Sequence, residues 1–256
     1  MKEILITNDD GFEALGLKEL AKALKTIANV TIVAPSSEKS ACAHSITCTR
    51  PLRFIKIDDG FFKLDDATPT DCVYLALHTL YENKPDIIVS GINHGSNIAE
   101  DITYSGTCAG AMEGVLQGIP SLAVSQSYNK DSIDKYGFDL ACKITLDIVK
   151  KIFEKGYPLP QKQFLNLNIP AVSKKDYKGL KIVPAGEKIY STAAQLNRDP
   201  RGIERYWIGA DFMDFDIAKN DNTDLSIIMD GYASLTPIKL NLTAFEELKR
   251  VDEWIK

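Results

Sequence analysis

Histidine and paired cysteine are scarce in this 256-residue chain. Three histidines, His44, His78 and His94, leave little room for a His-rich metal centre. Five cysteines (Cys42, Cys48, Cys72, Cys108, Cys142) are an odd, scattered set without a C-x-x-C pair. That argues against a disulfide framework and against a thiolate zinc site. No apolar run approaches the roughly 20 residues of a membrane span. The opening apolar run, Ile4 to Thr7, is too short for a signal peptide and has no small-residue cleavage site after it, so a cytoplasmic location is expected. A G-x-G-x-x-G fingerprint is missing after this run, and so is a G-x-S-x-G elbow. The stretch Gly11–Lys18 resembles a phosphate loop only superficially, because Leu17 follows its second glycine where the lysine should be. A net charge of −5 argues against a general nucleic-acid surface and leaves any anionic substrate to be attracted by a local feature.

What is present is the composition of a folded globular chain, 45 % hydrophobic and 25 % charged, with a length that suits one large domain. Ile4 to Thr7 reads as a buried strand, Leu15 to about Ala28 as a helix, and Val30 to Ala34 as a second buried strand stopped by Pro35. This unit implies parallel strands joined by a right-handed crossover. Leu52 to Leu64 alternates around Asp58-Asp59-Gly60, which suggests a hairpin. Further on come a helix from Pro69 to about Tyr81, a strand at 86–90, a Gly/Asn-rich loop at 91–104 and a helix from near Ser105 to Gly118. A strand at 121–125, a helix at 135–154 and a strand at 164–169 follow. Repeated β-α-β alternation specifies an α/β fold, Rossmann-like, with a mostly parallel sheet flanked by helices in three α/β/α layers. The organisation expected is a core over residues 1–184, an extended oligomerisation segment over 185–223, and a C-terminal strand and helix over 224–256.

Three loops leave the carboxyl ends of expected parallel strands, where open α/β sheets bind ligands. The first holds Asn8-Asp9-Asp10-Gly11, whose adjacent carboxylates repel each other and need compensation, most simply by a divalent cation. A polar turn capping the next helix would use the same residues. The second, Ser36 to Ser45, carries Ser40 and His44; His44 could be a general acid, a phosphate contact or merely solvated. The third runs from Ser90 through Asn93, His94 and Asn97 to Asp101, and ends at Ser105-Gly106-Thr107. There hydroxyls and free N–H groups meet at a helix N-terminus, which favours anions. The pooled donors are two carboxylates, a hydroxyl and an amide oxygen, a shell for Mg²⁺, Mn²⁺ or Ca²⁺. A hard cation beside an anion cradle suits hydrolysis of phosphate esters. For Asp71 and Asp101 a cap or turn role is the plainer reading.

The blocks ILITNDDG (4–11), APSSEKSACAHSIT (34–47), ATPTDCV (67–73), VSGINHGSN (89–97), DITYSGTCAGAMEG (101–114), LNLNIP (165–170), DPRG…YWIG (199–209) and GYASLTPI (231–238) together resemble the SurE survival-protein family. The resemblance spans nearly the whole chain in order. It implies a metal-dependent phosphomonoesterase that hydrolyses nucleoside 5′- and 3′-monophosphates, with one divalent cation per subunit, Mg²⁺ or Mn²⁺. Carried over by position, the metal ligands are Asp9, Asp10, Ser40 and Asn93, and Asp9 and Asp10 carry the catalysis. Asn97, Ser105, Gly106 and Thr107 are the phosphate contacts. The resemblance also implies a homodimer or homotetramer built through the C-terminal extension. Ser36-Ser37-Glu38 and Ala67 depart from the family pattern, and Ser37 removes a possible cation from its loop. The nucleophile is either an activated water or an Asp that forms an aspartyl-phosphate. Two readings from other classes are a non-catalytic nucleotide- or phosphometabolite-binding regulator, which leaves the acidic pair without purpose, and a structural oligomerisation protein, which leaves the polar loops without one.

Overall fold

The computed structural model describes residues 1–128, 135–188, 194–208 and 221–256. In chain order the elements begin with β1 (Glu3–Thr7), α1 (Leu15–Leu24), β2 (Asn29–Pro35), β3 (Phe54–Asp58), β4 (Phe61–Leu64), α2 (Pro69–Thr79), β5 (Ile87–His94) and α3 (Gly106–Leu116). They continue with β6 (Ser121–Gln126), α4 (Asp139–Lys155), β7 (Gln163–Ile169), β8 (Leu180–Ile182), β9 (Ala194–Arg198), β10 (Glu204–Ile208), α5 (Asp224–Met229), β11 (Ala233–Lys239) and α6 (Leu248–Trp254).

Among the described residues, nine strands form one sheet in the order β3-β4-β2-β1-β5-β6-β7-β11-β8. The run from β4 to β7 is parallel throughout. At the margins β3 pairs antiparallel with β4 and β11 with β7, and β8 runs parallel to β11. Alternation within β1 shows why the sheet is covered on both faces. Ile4 and Ile6 join a core with Leu17, Leu20 and Leu24 of α1 and Ile144, Ile148 and Ile152 of α4. Leu5 points the other way, into a core with Val73 and Leu77 of α2. The helix α3 completes that second layer, packing Cys108, Ala111 and Val115 with Ala123 and Phe164. Successive strand residues face opposite sides, so a strand with apolar residues at every position must be sandwiched. The expected mostly parallel α/β/α architecture is therefore the observed one.

Some boundaries differ from those read in the sequence. α1 stops at Leu24, not Ala28, because the Thr26 hydroxyl takes the Ala23 carbonyl at 2.6 Å and Ile27 N–H bonds to Leu24 O, which tightens the chain into turns. β5 continues to His94, where a loop was expected from Gly91. A register shift between Ser90 and Asn93 lets Asn93 and His94 pair with Ser125 and Gln126 of β6. β11, from the C-terminal part of the chain, is inserted between β7 and β8, so the main sheet draws on residues from both sides of position 184. Part of the segment expected to mediate assembly forms a separate β9–β10 hairpin, while 189–193 and 209–220 lie outside the described residues.

From β1 the chain first goes to β2 on one side, and later crosses over to β5 on the other. The order reverses between β1 and β5, and a crevice opens at the carboxyl ends of such strands. The loops after β1, β2 and β5 all leave at that end.

Candidate functional site

Asp9 lies just past β1 and is 4 % exposed. Gly11 turns the chain away with φ +95°, and the Asn8 side-chain amide donates to its carbonyl at 2.9 Å. The Asp9 carboxylate sits on the first turn of α3. Thr107 Oγ1 donates to Asp9 Oδ1 at 2.5 Å, and a Cβ placed on Gly106 would come 2.9 Å from Asp9 Oδ2. Only glycine at 106 lets the helix approach this closely. The helix N-terminus offers partial positive charge there. Burial still dominates, and together with Asp10 it raises the Asp9 pKa from 3.8 to about 6 against the lowering effect of the Thr107 hydroxyl. Asp10 is also raised by burial, opposed by the His94 backbone N–H, which donates to Asp10 Oδ2 at 3.1 Å. The His94 imidazole lowers Asp10 and the Glu38 carboxylate raises it. An acid pair with one member almost wholly buried is a strong local demand for positive charge.

The loop after β2 closes one side. Lys39 N–H donates to the Asp9 carbonyl at 2.7 Å, and Ala43 N–H to the Tyr104 carbonyl at 2.9 Å. His44 Nε2 meets Glu113 Oε2 of α3 at 3.1 Å. Thr47 donates to Asp71 through its N–H (2.7 Å) and hydroxyl (2.6 Å). Asp71 also completes the capping box of α2 with Thr68, so the cap reading of Asp71 holds and the same carboxylate anchors the loop. Ala41 and Ala43 adopt φ +56° and +52°, each at a cost of about 1–2 kcal/mol, so the loop keeps a shape its local sequence disfavours. Cys42 is drawn in by this shape: its Sγ would lie 2.9 Å from a Cβ on Gly106. Burial and the nearby Asp9 push that thiol up to about 11.

The expected site residues divide into two groups. Asp9, Gly106 and Thr107 meet directly, and Asp10, next to Asp9 in the chain, is held by the His94 N–H. Ser105 is the N-cap of α3, its hydroxyl accepting from Cys108 N–H at 3.0 Å. Ser40 is exposed on the second loop with its hydroxyl donated to Glu38 at 2.7 Å. Asn93 spends its amide nitrogen on the Gly95 carbonyl at 2.9 Å, which leaves Oδ1, the atom a hard cation takes. Asn97 is buried in an amide network. Its side chain donates to Ser125 Oγ (2.8 Å), its N–H to Asn168 Oδ1 (2.8 Å), and its carbonyl accepts from Asn166 and Asn168.

The sequence reading missed the supports behind the third loop. Asp224 is fully buried and accepts from Ala99 N–H at 3.0 Å and Gly186 N–H at 2.8 Å. Lys188 pairs with Asp101, and its N–H donates to Glu100 at 2.8 Å. These bonds fasten the chain beyond β8 to the 3₁₀ turn Ala99–Thr103 that leads into α3. No motif marks Asp224 or Lys188, because their partners lie 38 to 125 residues away.

Among the described residues, no group of three or more His, Cys, Asp or Glu side chains could hold a metal ion. The donors available are two carboxylates with neutral oxygens nearby, a set that fits a hard divalent ion and not a thiolate or imidazole metal.

Residues 4–192 match the family described as survival protein SurE. The chain is 68 % identical over 257 residues to the 5′-nucleotidase SurE of Campylobacter fetus subsp. fetus, covering 100 % of both chains. It is 56 % identical over 259 residues to that of Campylobacter jejuni, covering 100 % of this chain and 98 % of the relative. The crystal structure of the SurE protein from Aquifex aeolicus superposes with a TM-score of 0.85 at 38 % identity, over 99 % of this chain and 100 % of that one.

Proposed function

Because the chain belongs to the survival protein SurE family, we propose that it is a 5′-nucleotidase, a metal-dependent phosphomonoesterase that releases phosphate from nucleoside monophosphates. The observation that carries this reading is the Asp9–Asp10 pair at the end of β1, with Asp9 almost wholly buried against the first turn of α3 and Asp10 half-buried beside it. Two carboxylates need a cation, a helix N-terminus favours an anion, and a phosphate ester with a divalent ion satisfies both.

In this reading Asp9, Asp10, Ser40 and Asn93 hold one Mg²⁺ or Mn²⁺ per subunit. Ser40 would offer its hydroxyl, which here donates to Glu38, and Asn93 its Oδ1. The bound ion supplies Lewis-acid polarisation of a phosphoryl oxygen and acidifies water. Thr107 fixes the Asp9 carboxylate in one orientation through its hydroxyl. Backbone N–H groups at Gly106 and Thr107 face the charge that develops on the phosphoryl oxygens. Asp10 orients the attacking water and receives its proton. Ser105 contributes by holding the helix start, and Asn97 by fixing the floor against β6 and β7.

The same reading extends to assembly. Leu196, Tyr206, Trp207 and Ile208 of the hairpin are 45–96 % exposed, and Leu248, Val251 and Trp254 of α6 are 55–82 % exposed. Apolar surface of this extent, on elements that leave the main sheet, supports a homodimer or homotetramer built through them. No described helix is long and apolar enough to cross a membrane, and the proposed location is the cytoplasm. The decisive experiment measures phosphate release from AMP with Mn²⁺ or Mg²⁺, with and without a chelator. Turnover that depends on the ion is expected; turnover that persists in excess chelator refutes the ligand set.

A further inference from the structure

The rim of the site carries two aromatic rings that no step above employs. His94 ends β5, and its own N–H is the group that bonds Asp10. Its imidazole is also near enough to Asp10 for its charge to act on that carboxylate. The ring meets Tyr128 in a T-shaped contact, with centroids 4.5 Å apart and planes at 90°. Tyr128 follows β6, whose Gln126 pairs with His94 in the sheet and accepts the Gly95 N–H at 2.9 Å. The pair is thus carried on the ends of two core strands. It also faces solvent: His94 is exposed, and Tyr128 keeps 54 % of its surface. A T-shaped contact sets the edge of one ring against the face of the other, so it does not use both rings' faces.

We propose that His94 and Tyr128 form a nucleobase-stacking subsite. This rests on the phosphomonoesterase reading above and deepens it. In a nucleoside monophosphate a single sugar separates phosphate from base. With the phosphate at the α3 N-terminus and the Asp9–Asp10 pair, the base must land on the rim within one sugar's reach. His94, beside Asp10, and Tyr128, packed on it, offer π-faces there from the ends of β5 and β6. Stacking tolerates any base, because every base has a π-face. The subsite therefore separates nucleotides from sugar phosphates, and purines from pyrimidines by ring size, with little reading of base edges. Tyr104, 58 % exposed and tied through its carbonyl to Ala43, is the competing platform on the loop that enters α3.

The test compares kcat/KM for AMP with kcat/KM for ribose 5-phosphate, which has no base, using the Mn²⁺-loaded full-length protein. His94→Ala and Tyr128→Ala are each expected to lower the AMP-to-ribose-phosphate ratio roughly 5- to 30-fold, mainly through KM for AMP. Tyr128→Phe keeps the π-face and should keep the ratio. A ratio within about twofold of wild type in both alanine variants overturns the proposal, as does a loss confined to Tyr104→Ala. If the wild-type protein turns over no phosphate ester, the nucleotidase reading has failed, and calorimetric titration with AMP then decides the subsite. Weaker AMP binding in both alanine variants supports it; equal affinity, or no binding by the wild type, overturns it.

Discussion

Replacing Asp9 by Asn should abolish turnover and at the same time stabilise the ion-free protein. Asp9 is almost wholly buried, and its pKa rises from 3.8 to about 6, chiefly by burial. At about 1.4 kcal/mol per tenfold change in acidity, the ionised side chain costs the folded state about 3 kcal/mol. The direction with pH follows. Below about pH 4 the carboxyl is protonated in both folded and unfolded chains and costs nothing. Between about pH 4 and 6 the unfolded chain gives up this proton while the folded chain holds it, so stability falls across that window and levels off once the folded carboxyl has ionised. Asparagine never ionises, and its side-chain oxygen can still accept from Thr107. In chelator, Asp9→Asn should therefore match wild type near pH 4 and exceed it by roughly 2–3 kcal/mol above about pH 7, or roughly 5–10 °C in Tm. Mn²⁺ at a hundredfold over its Kd should stabilise wild type by about 2.7 kcal/mol, which closes the gap, and leave the variant unmoved. Thermal melts at several pH values, with chelator and with Mn²⁺, give all of these numbers. A variant less stable than wild type in chelator at neutral pH, or a gap that does not close on acidification, would show that Asp9 is comfortable without an ion.

Three further outcomes test other parts of the structure. Gly106→Ala puts a Cβ 2.7 Å from Asp9 Cβ and 2.9 Å from Cys42 Sγ; it should weaken Mn²⁺ activation by roughly 10- to 100-fold while circular dichroism shows an intact fold. Asp224→Ala strands the Ala99 and Gly186 N–H groups, and denaturant titration should show a loss of about 2–4 kcal/mol with reduced activity, because the turn leading into α3 is released. Trp207→Ser, on a hairpin strand whose residues are all exposed, should shift the protein towards smaller species in light scattering while the main sheet stays folded.

Much of the fold could be read directly. Ile4–Thr7, Val30–Ala34 and Ser121–Ser125 are short, unbroken apolar runs bounded by turn residues, and a strand of this kind is stable only when both faces are covered. The Asp58-Asp59-Gly60 hairpin and the Pro69 helix start were likewise visible, because turns and caps are local chemistry. Missed boundaries had causes outside that range. The extension of β5 depends on a register shift against β6, and the end of α1 on one threonine hydroxyl. The hairpin at 194–208 gave no clear period because it has no buried face to impose one.

For the site, residue types and strand ends were enough to bring Asp9, Asp10 and the Ser105–Thr107 turn into one crevice. Their order along a parallel sheet determines which loops share an edge. Sequence alone could not say that Thr107 bonds Asp9 and not a phosphate, that Gly106 exists to admit a carboxylate, or that Asp224 and Lys188 brace the third loop. Those facts are contacts between residues far apart in the chain. Periodicity and local propensity record what a residue does to its neighbours in sequence, whereas burial and distance, which set the charge state of Asp9 and the reach of His94 and Tyr128, exist only once the layers have packed.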